Sequence, residues 1–150
     1  MNRVLLSSKN MNWCTPQGFF NELDSEFHFT LDAAATVVSA KCRKYFTRED
    51  DGLQRSWQGE RVFCNPPYGT ELNKWVKKAY EESLKPGTLI VMLIPARTDT
   101  KYFHEYIYGK AEIRFIKGRL KFTDEEGNRY SSAPFPSMLV IFGGNICSTN

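Results

Sequence analysis

The run Thr88-Leu89-Ile90-Val91-Met92-Leu93-Ile94, fenced by Pro86-Gly87 before it and Pro95 after it, constrains the fold of this chain more than any other segment. An unbroken apolar strand has both faces covered, and that is the environment of a central strand in a parallel sheet. The flanking sequence supplies helices to do the covering. Glu71 to Leu84 sets Leu72, Trp75, Val76, Ala79 and Leu84 on one stripe and stops at Pro86-Gly87. Tyr102, Phe103, Tyr106 and Ile107 form a second amphipathic stripe ended by Gly109. The run is also far too short to cross a bilayer.

Shorter strand signals surround it. Phe27 to Leu31 alternates apolar and polar, Lys44 to Thr47 reads as a brief strand, and Val62 to Cys64 is a further apolar run. Ile113 to Ile116 and Met138 to Phe142 complete the series. Thr15-Pro16 reads as a cap and first-turn proline of a helix carrying Phe19, Phe20 and Leu23. Asp32 to Ala35 leads into a short helix through about Ala40. Strands alternating with helices predict an α/β doubly wound sheet that finishes in an antiparallel pair. Residues 1–12 read as a loose lead-in and 13–145 as one domain.

A length of 150 residues suits a single core, and 41% hydrophobic with 25% charged residues is ordinary for a globular chain. The net charge of +3 permits contact with nucleic acid without arguing for it. Cys14, Cys42, Cys64 and Cys147 are scattered, with no Cys-x-x-Cys pair and no histidine at ligand spacing, so neither a metal site nor a disulfide framework is expected. With no signal-type apolar core at the N-terminus, the expectation is a soluble cytoplasmic protein.

Chemistry enters at Asn65-Pro66-Pro67-Tyr68, directly after the Val62 to Cys64 strand. Proline lacks a backbone N–H and fixes φ, so the doublet stiffens the turn and leaves the Asn65 and Pro66 carbonyls free. The residue before a proline is held extended, as the end of a strand requires. Such a turn gathers an amide acceptor, a main-chain carbonyl and an aromatic plate, a set suited to a flat, amino-bearing group. By composition alone it also reads as an ordinary proline turn.

The tetrad is similar to the catalytic motif of S-adenosylmethionine-dependent amino methyltransferases. Further segments follow in the same order: Trp13-Cys14-Thr15-Pro16, Phe29 to Ala35, Asp51-Gly52-Leu53, Asn73 to Ala79, Pro95-Ala96-Arg97-Thr98 and Gly118 to Phe122. Together, over roughly Trp13 to Phe142, they resemble the short phage-type DNA N-6-adenine methyltransferase (Dam) family. The resemblance implies a compact Rossmann-like methyltransferase fold with a mostly parallel sheet and an antiparallel last strand. It implies S-adenosylmethionine as cofactor, DNA as partner, and a phage or prophage protein acting in a bacterial host.

The resemblance also distributes roles. Asn65 and Pro66 accept the two N–H groups of an adenine N6, Pro67 stiffens the turn, and Tyr68 stacks on a flipped base. Trp13 and Thr15 belong to the segment that closes over the cofactor, with Thr15 at its carboxylate. Asp32 meets its ammonium beside Ala33 and Ala34, which stand where related enzymes carry a glycine-rich turn. Asp51 is a candidate for the adenine amine of the cofactor and reads equally as a solvated acidic turn. Arg97 and Arg119 are candidates for DNA phosphates, or ordinary surface arginines. No insertion resembles a separate target-recognition domain, which leaves the loops around Asp124 to Pro136 as the place to read bases. Two rivals stand beside this reading: the same chemistry on RNA or a protein glutamine amide, and a silent nucleic-acid-binding module.

Overall fold

The computed structural model describes residues 13–143; the expected lead-in over residues 1–12, residues 144–145 and Cys147 lie outside them. Six strands form one mixed sheet in the order β2-β1-β3-β4-β6-β5. β1 (Leu31–Asp32), β2 (Lys44–Tyr45), β3 (Arg61–Cys64) and β4 (Leu89–Pro95) are parallel to one another. β6 (Ser137–Gly143) slots antiparallel between β4 and β5 (Glu112–Phe115). The apolar run read from the sequence is β4, buried along its whole length, and Ser137 to Phe142 of β6 are buried beside it.

Helix α2 (Leu72–Ser83) buries Leu72, Trp75, Val76 and Ala79, the stripe expected of it. Leu84, placed on that stripe by spacing, falls past the last turn and is exposed. Helix α1 (Gln17–Phe27) buries Phe20, Leu23 and Phe27. It runs further than expected, so that His28 turns the chain in the left-handed region (φ 55°) and the strand begins only at Leu31. The second amphipathic stripe forms a wide five-residue helical turn, Phe103–Ile107, in which the Tyr108 N–H donates to the Phe103 carbonyl at 2.8 Å.

The helix expected through Ala40 does not form. Thr36, Val37 and Val38 are poor helix formers in sequence, because branching at Cβ costs χ1 freedom. Instead the Thr36 and Ser39 side chains close a turn on each other, each accepting from the other's backbone N–H at 3.0 Å. Side-chain hydroxyls compete with a helix in this way.

One buried polar chain ties α2 to the loop ahead of β3. Trp57 is fully buried; its N–H donates to Glu82 Oε1 at 2.6 Å and its indole N–H to the Gly52 carbonyl at 3.0 Å. Glu82, itself buried, takes Lys85 at 2.6 Å and Lys78 at 3.3 Å, so its charge is paired rather than stranded.

Candidate active site

The carboxyl ends of parallel strands leave a crevice where loops diverge, the usual place for a ligand in an open α/β sheet. Here the crevice measures about 910 Å³ and is lined from the ends of β1 and β3, the turn at Asp51-Gly52-Leu53 and the strap Trp13-Cys14-Thr15. Trp13, Thr15, Asp32, Ala33, Ala34 and Asp51 line it together with Asn65, Pro66, Pro67 and Tyr68. Trp13 and Tyr68, 55 positions apart in sequence, thus meet in one cavity.

β1 delivers Asp32 to the floor. The residue is buried, and its carboxylate accepts the backbone N–H of Lys41 at 3.0 Å and of Ala34 at 3.4 Å. Burial pushes its pKa up to about 6, against the pull of those two N–H groups and of the Lys41 charge. A carboxyl raised in the folded state binds its proton more tightly there than in the unfolded chain. Its contribution to stability is therefore fully present below the unfolded value, near 3.8, and is lost as pH rises through about 6.

Gly52 leaves room for the backbone of Ala33 opposite. A Cβ on Gly52 would stand 2.4 Å from the Ala33 carbonyl oxygen and 3.0 Å from the Trp75 ring. Gly52 thus lets its loop approach the end of β1 closely. Asp51 precedes it at φ 60°, with its side chain accepting from the Leu53 N–H at 3.2 Å. Gly52, Trp75 and Lys41 also line the crevice, and sequence reading passed over each of them as a site residue. Gly52 looked like a turn residue and Trp75 like one more residue of an apolar stripe.

Asn65 follows β3 and is held on both sides. Its Nδ2 donates to the Trp13 carbonyl and, at 3.1 Å, to Thr15 Oγ1. Its Oδ1 accepts from the Tyr68 hydroxyl at 2.7 Å, and that hydroxyl also lies 3.0 Å from the Leu93 carbonyl. Thr15 does not cap α1, which has no side-chain cap; its hydroxyl faces Asn65 instead.

Tyr68, read from the sequence as an aromatic plate, lines the crevice but is largely enclosed. It is only 8% exposed, and its ring packs edge-on against Phe122 and Phe135, with centroids 6.2 and 5.6 Å away. Burial holds its hydroxyl well above the usual phenol pKa, so it stays protonated and able to donate. The aromatic group extends to Trp13, which meets Phe122, Tyr130 and Phe135 edge-on at 5.3–5.4 Å. Cys14 and Thr123 exchange backbone hydrogen bonds of 3.0 Å each, docking the strap on the 122–130 hairpin.

Arg97 and Arg119 lie outside the crevice lining and are exposed. Both reach the segment that packs on Tyr68: Arg97 lies 5.9 Å from the Phe135 ring centroid, and Arg119 donates to the Ala133 carbonyl at 3.0 Å. Among the described residues no group of three or more His, Cys, Asp or Glu side chains is placed to hold a metal ion.

These features define an α/β protein whose ligand crevice opens across the carboxyl ends of its parallel strands, with a proline-stiffened amide turn set against a buried carboxylate. The chain belongs to the DNA N-6-adenine-methyltransferase (Dam) family, whose sequence profile matches residues 4–146. It is 31% identical over 134 residues to the DNA N-6-adenine-methyltransferase of Haemophilus phage HP1, an alignment covering 87% of this chain and 77% of that protein. It is 35% identical over 121 residues to the enzyme of the same name from Escherichia phage T1, covering 79% of this chain and 50% of that longer protein.

Proposed function

We propose that this chain transfers a methyl group to N6 of an adenine in DNA, with S-adenosylmethionine as the donor, on a compact Rossmann-like methyltransferase fold. The observation that carries the reading is the joining, in one crevice of a Dam-family chain, of the Asn65 to Tyr68 turn with the Asp32 to Ala34 strand end. The setting is the cytoplasm of a bacterial host, as for a phage-borne enzyme.

The donor supplies an electrophilic methyl group. The chain's own residues do the rest. Asp32, buried and acidic, pairs with the donor's ammonium, while Ala33, Ala34 and Gly52 keep the walls thin enough for backbone contact. Thr15 and Trp13 close the near side, and Asp51 meets the donor's adenine amine. An exocyclic amine is a weak nucleophile because its lone pair is drawn into the ring. Asn65 Oδ1 and the Pro66 carbonyl accept its two N–H groups and stabilise the positive charge that grows on nitrogen, a preorganised electrostatic effect. As the C–N bond forms the donor's C–S bond breaks, S-adenosylhomocysteine leaves, and the surplus N6 proton passes to water after the transfer. The adenine leaves the duplex to reach them. Tyr68, which lines the crevice, is the aromatic contact for the base, and base–aromatic contact is worth roughly 1–3 kcal/mol per base. Arg97 and Arg119, anchored beside Phe135, contact phosphates.

The test is transfer of labelled methyl from S-adenosylmethionine to DNA, RNA or protein, followed by nucleoside analysis. Label in N6-methyladenine of DNA is the expected result, and label confined to RNA or to a glutamine amide would replace the substrate assignment. Donor affinity is expected to weaken about tenfold between pH 8 and pH 5, because a carboxyl with pKa about 6 is roughly a tenth ionised at pH 5. Calorimetry across that range checks it, and Asp32→Asn is expected to bind weakly and without the step. A flat profile in the unmodified protein would remove Asp32 from the donor site.

A further inference from the structure

Resting on the reading of Asn65 as the amide that meets the acceptor nitrogen, we propose that Thr15 and the Trp13 carbonyl are positioning groups. They fix which end of that amide faces the substrate, with the Tyr68 hydroxyl closing the clamp from the other side. A carboxamide has nearly the same shape either way round, yet one end only donates and the other only accepts. Presented oxygen first, it receives an amine N–H. Turned over, it sets two donors against each other.

The partners at Asn65 settle the choice. The Trp13 carbonyl can only accept, so the atom facing it is Nδ2. The second Nδ2 proton goes to Thr15 Oγ1 at 3.1 Å. Both amide protons are thereby engaged and neither is left to oppose a substrate amine. Oδ1 has two lone pairs, one directed to the Tyr68 hydroxyl at 2.7 Å and one free for an incoming N–H. The phenol has a single proton, shared between Asn65 Oδ1 and the Leu93 carbonyl, so Oδ1 is held without being saturated.

Burial strengthens the clamp. Thr15 is 2% exposed, so reversing the amide would leave buried groups unpaired with no water to take their place. The strap that carries these acceptors is docked on the 122–130 hairpin through Cys14 and Thr123. The orientation of the amide is therefore set by residues about fifty positions earlier in the sequence and by the fold of a hairpin later in it.

Thr15→Val keeps the shape and removes the acceptor, while Thr15→Ser keeps the acceptor. In single-turnover methyl transfer at saturating donor and DNA, Thr15→Val is expected to lose about 10- to 100-fold, below the full loss of a stabilising group because the Trp13 carbonyl remains. Donor affinity is expected to weaken far less than the rate, since Thr15 is one of several groups on that wall. The melting temperature falls modestly because a buried amide proton loses its acceptor, and Thr15→Ser recovers most of the rate and of the stability. A readout independent of activity is the Asn65 side-chain amide signal in 15N-edited spectra, identified by its disappearance in Asn65→Ala. Slow exchange of its protons is expected in the unmodified protein and in Thr15→Ser, and fast exchange in Thr15→Val.

An undiminished rate in Thr15→Val with weakened donor binding would assign the hydroxyl to the donor and overturn the proposal. Equal losses in Val and Ser would reduce Thr15 to packing, with the same consequence. If the unmodified protein methylates no DNA, the proposed activity fails, and the amide signal still decides whether the clamp exists.

Discussion

Asn65→Ala is expected to lower the rate of methyl transfer to DNA adenine by at least about 10²–10³-fold, the effect of removing one preorganised stabilising group from a reacting centre. Donor affinity is expected to change by no more than about threefold, because Asp32, Ala33 and the Gly52 loop keep their own support. The substitution also strips the Trp13 carbonyl and the Tyr68 hydroxyl of a partner. A stability loss of about 1–2 kcal/mol follows from that, small beside the kinetic effect. Single-turnover assays at saturating donor separate the two. A variant retaining more than a tenth of the normal rate would take the amide out of the chemistry.

Gly52→Ala is the second large effect, and it falls on the other half of the crevice. The added Cβ would lie 2.4 Å from a backbone oxygen, so the main chain rather than a side chain has to move. Gly52 accepts the indole N–H of fully buried Trp57, and the shift therefore reaches Glu82 and α2. A cost of about 2–3 kcal/mol is expected, lowering Tm by roughly 5–10 °C in a domain of this size. Donor binding is expected to fall at least about tenfold, since Asp51 and Ala33 are displaced together. Gly18, in the first turn of α1 with nothing within 4 Å of an added Cβ, is the control, and alanine there is expected to be neutral or stabilising. Equal melting temperatures for the two variants would show that the 51–53 loop yields freely.

What the sequence revealed, and what it hid, divides along the range of the interactions involved. β4 was legible because burial on both faces leaves a local signature, and the face of α2 was legible because 3.6-residue spacing is local too. Asn65 to Tyr68 announced a stiff turn at a strand end for the same reason. The turn at Thr36 to Ser39 was misread as a helix because two hydroxyls outcompeted backbone bonding there. Thr15 was read as a helix cap, since its actual partner, Asn65, lies 50 residues away. The enclosure of Tyr68 was hidden because Phe122 and Phe135, which pack on it, arrive from the far end of the chain. Gly52 was passed over as a space-maker because the carbonyl it makes room for sits on a different strand.

The antiparallel insertion of β6 between β4 and β5 carries a consequence for the order of assembly. β5 has no hydrogen-bonded neighbour other than β6 among the described residues, and β4 has one whole edge occupied by it. Until Ser137 to Gly143 arrive, β4 offers an unpaired apolar edge and β5 has no place in the sheet. Ladders that join such distant segments form slowly, and uncovered edges invite pairing between molecules. A nascent or truncated chain that stops short of residue 137 thus leaves the apolar edge of β4 uncovered and open to pairing with another molecule.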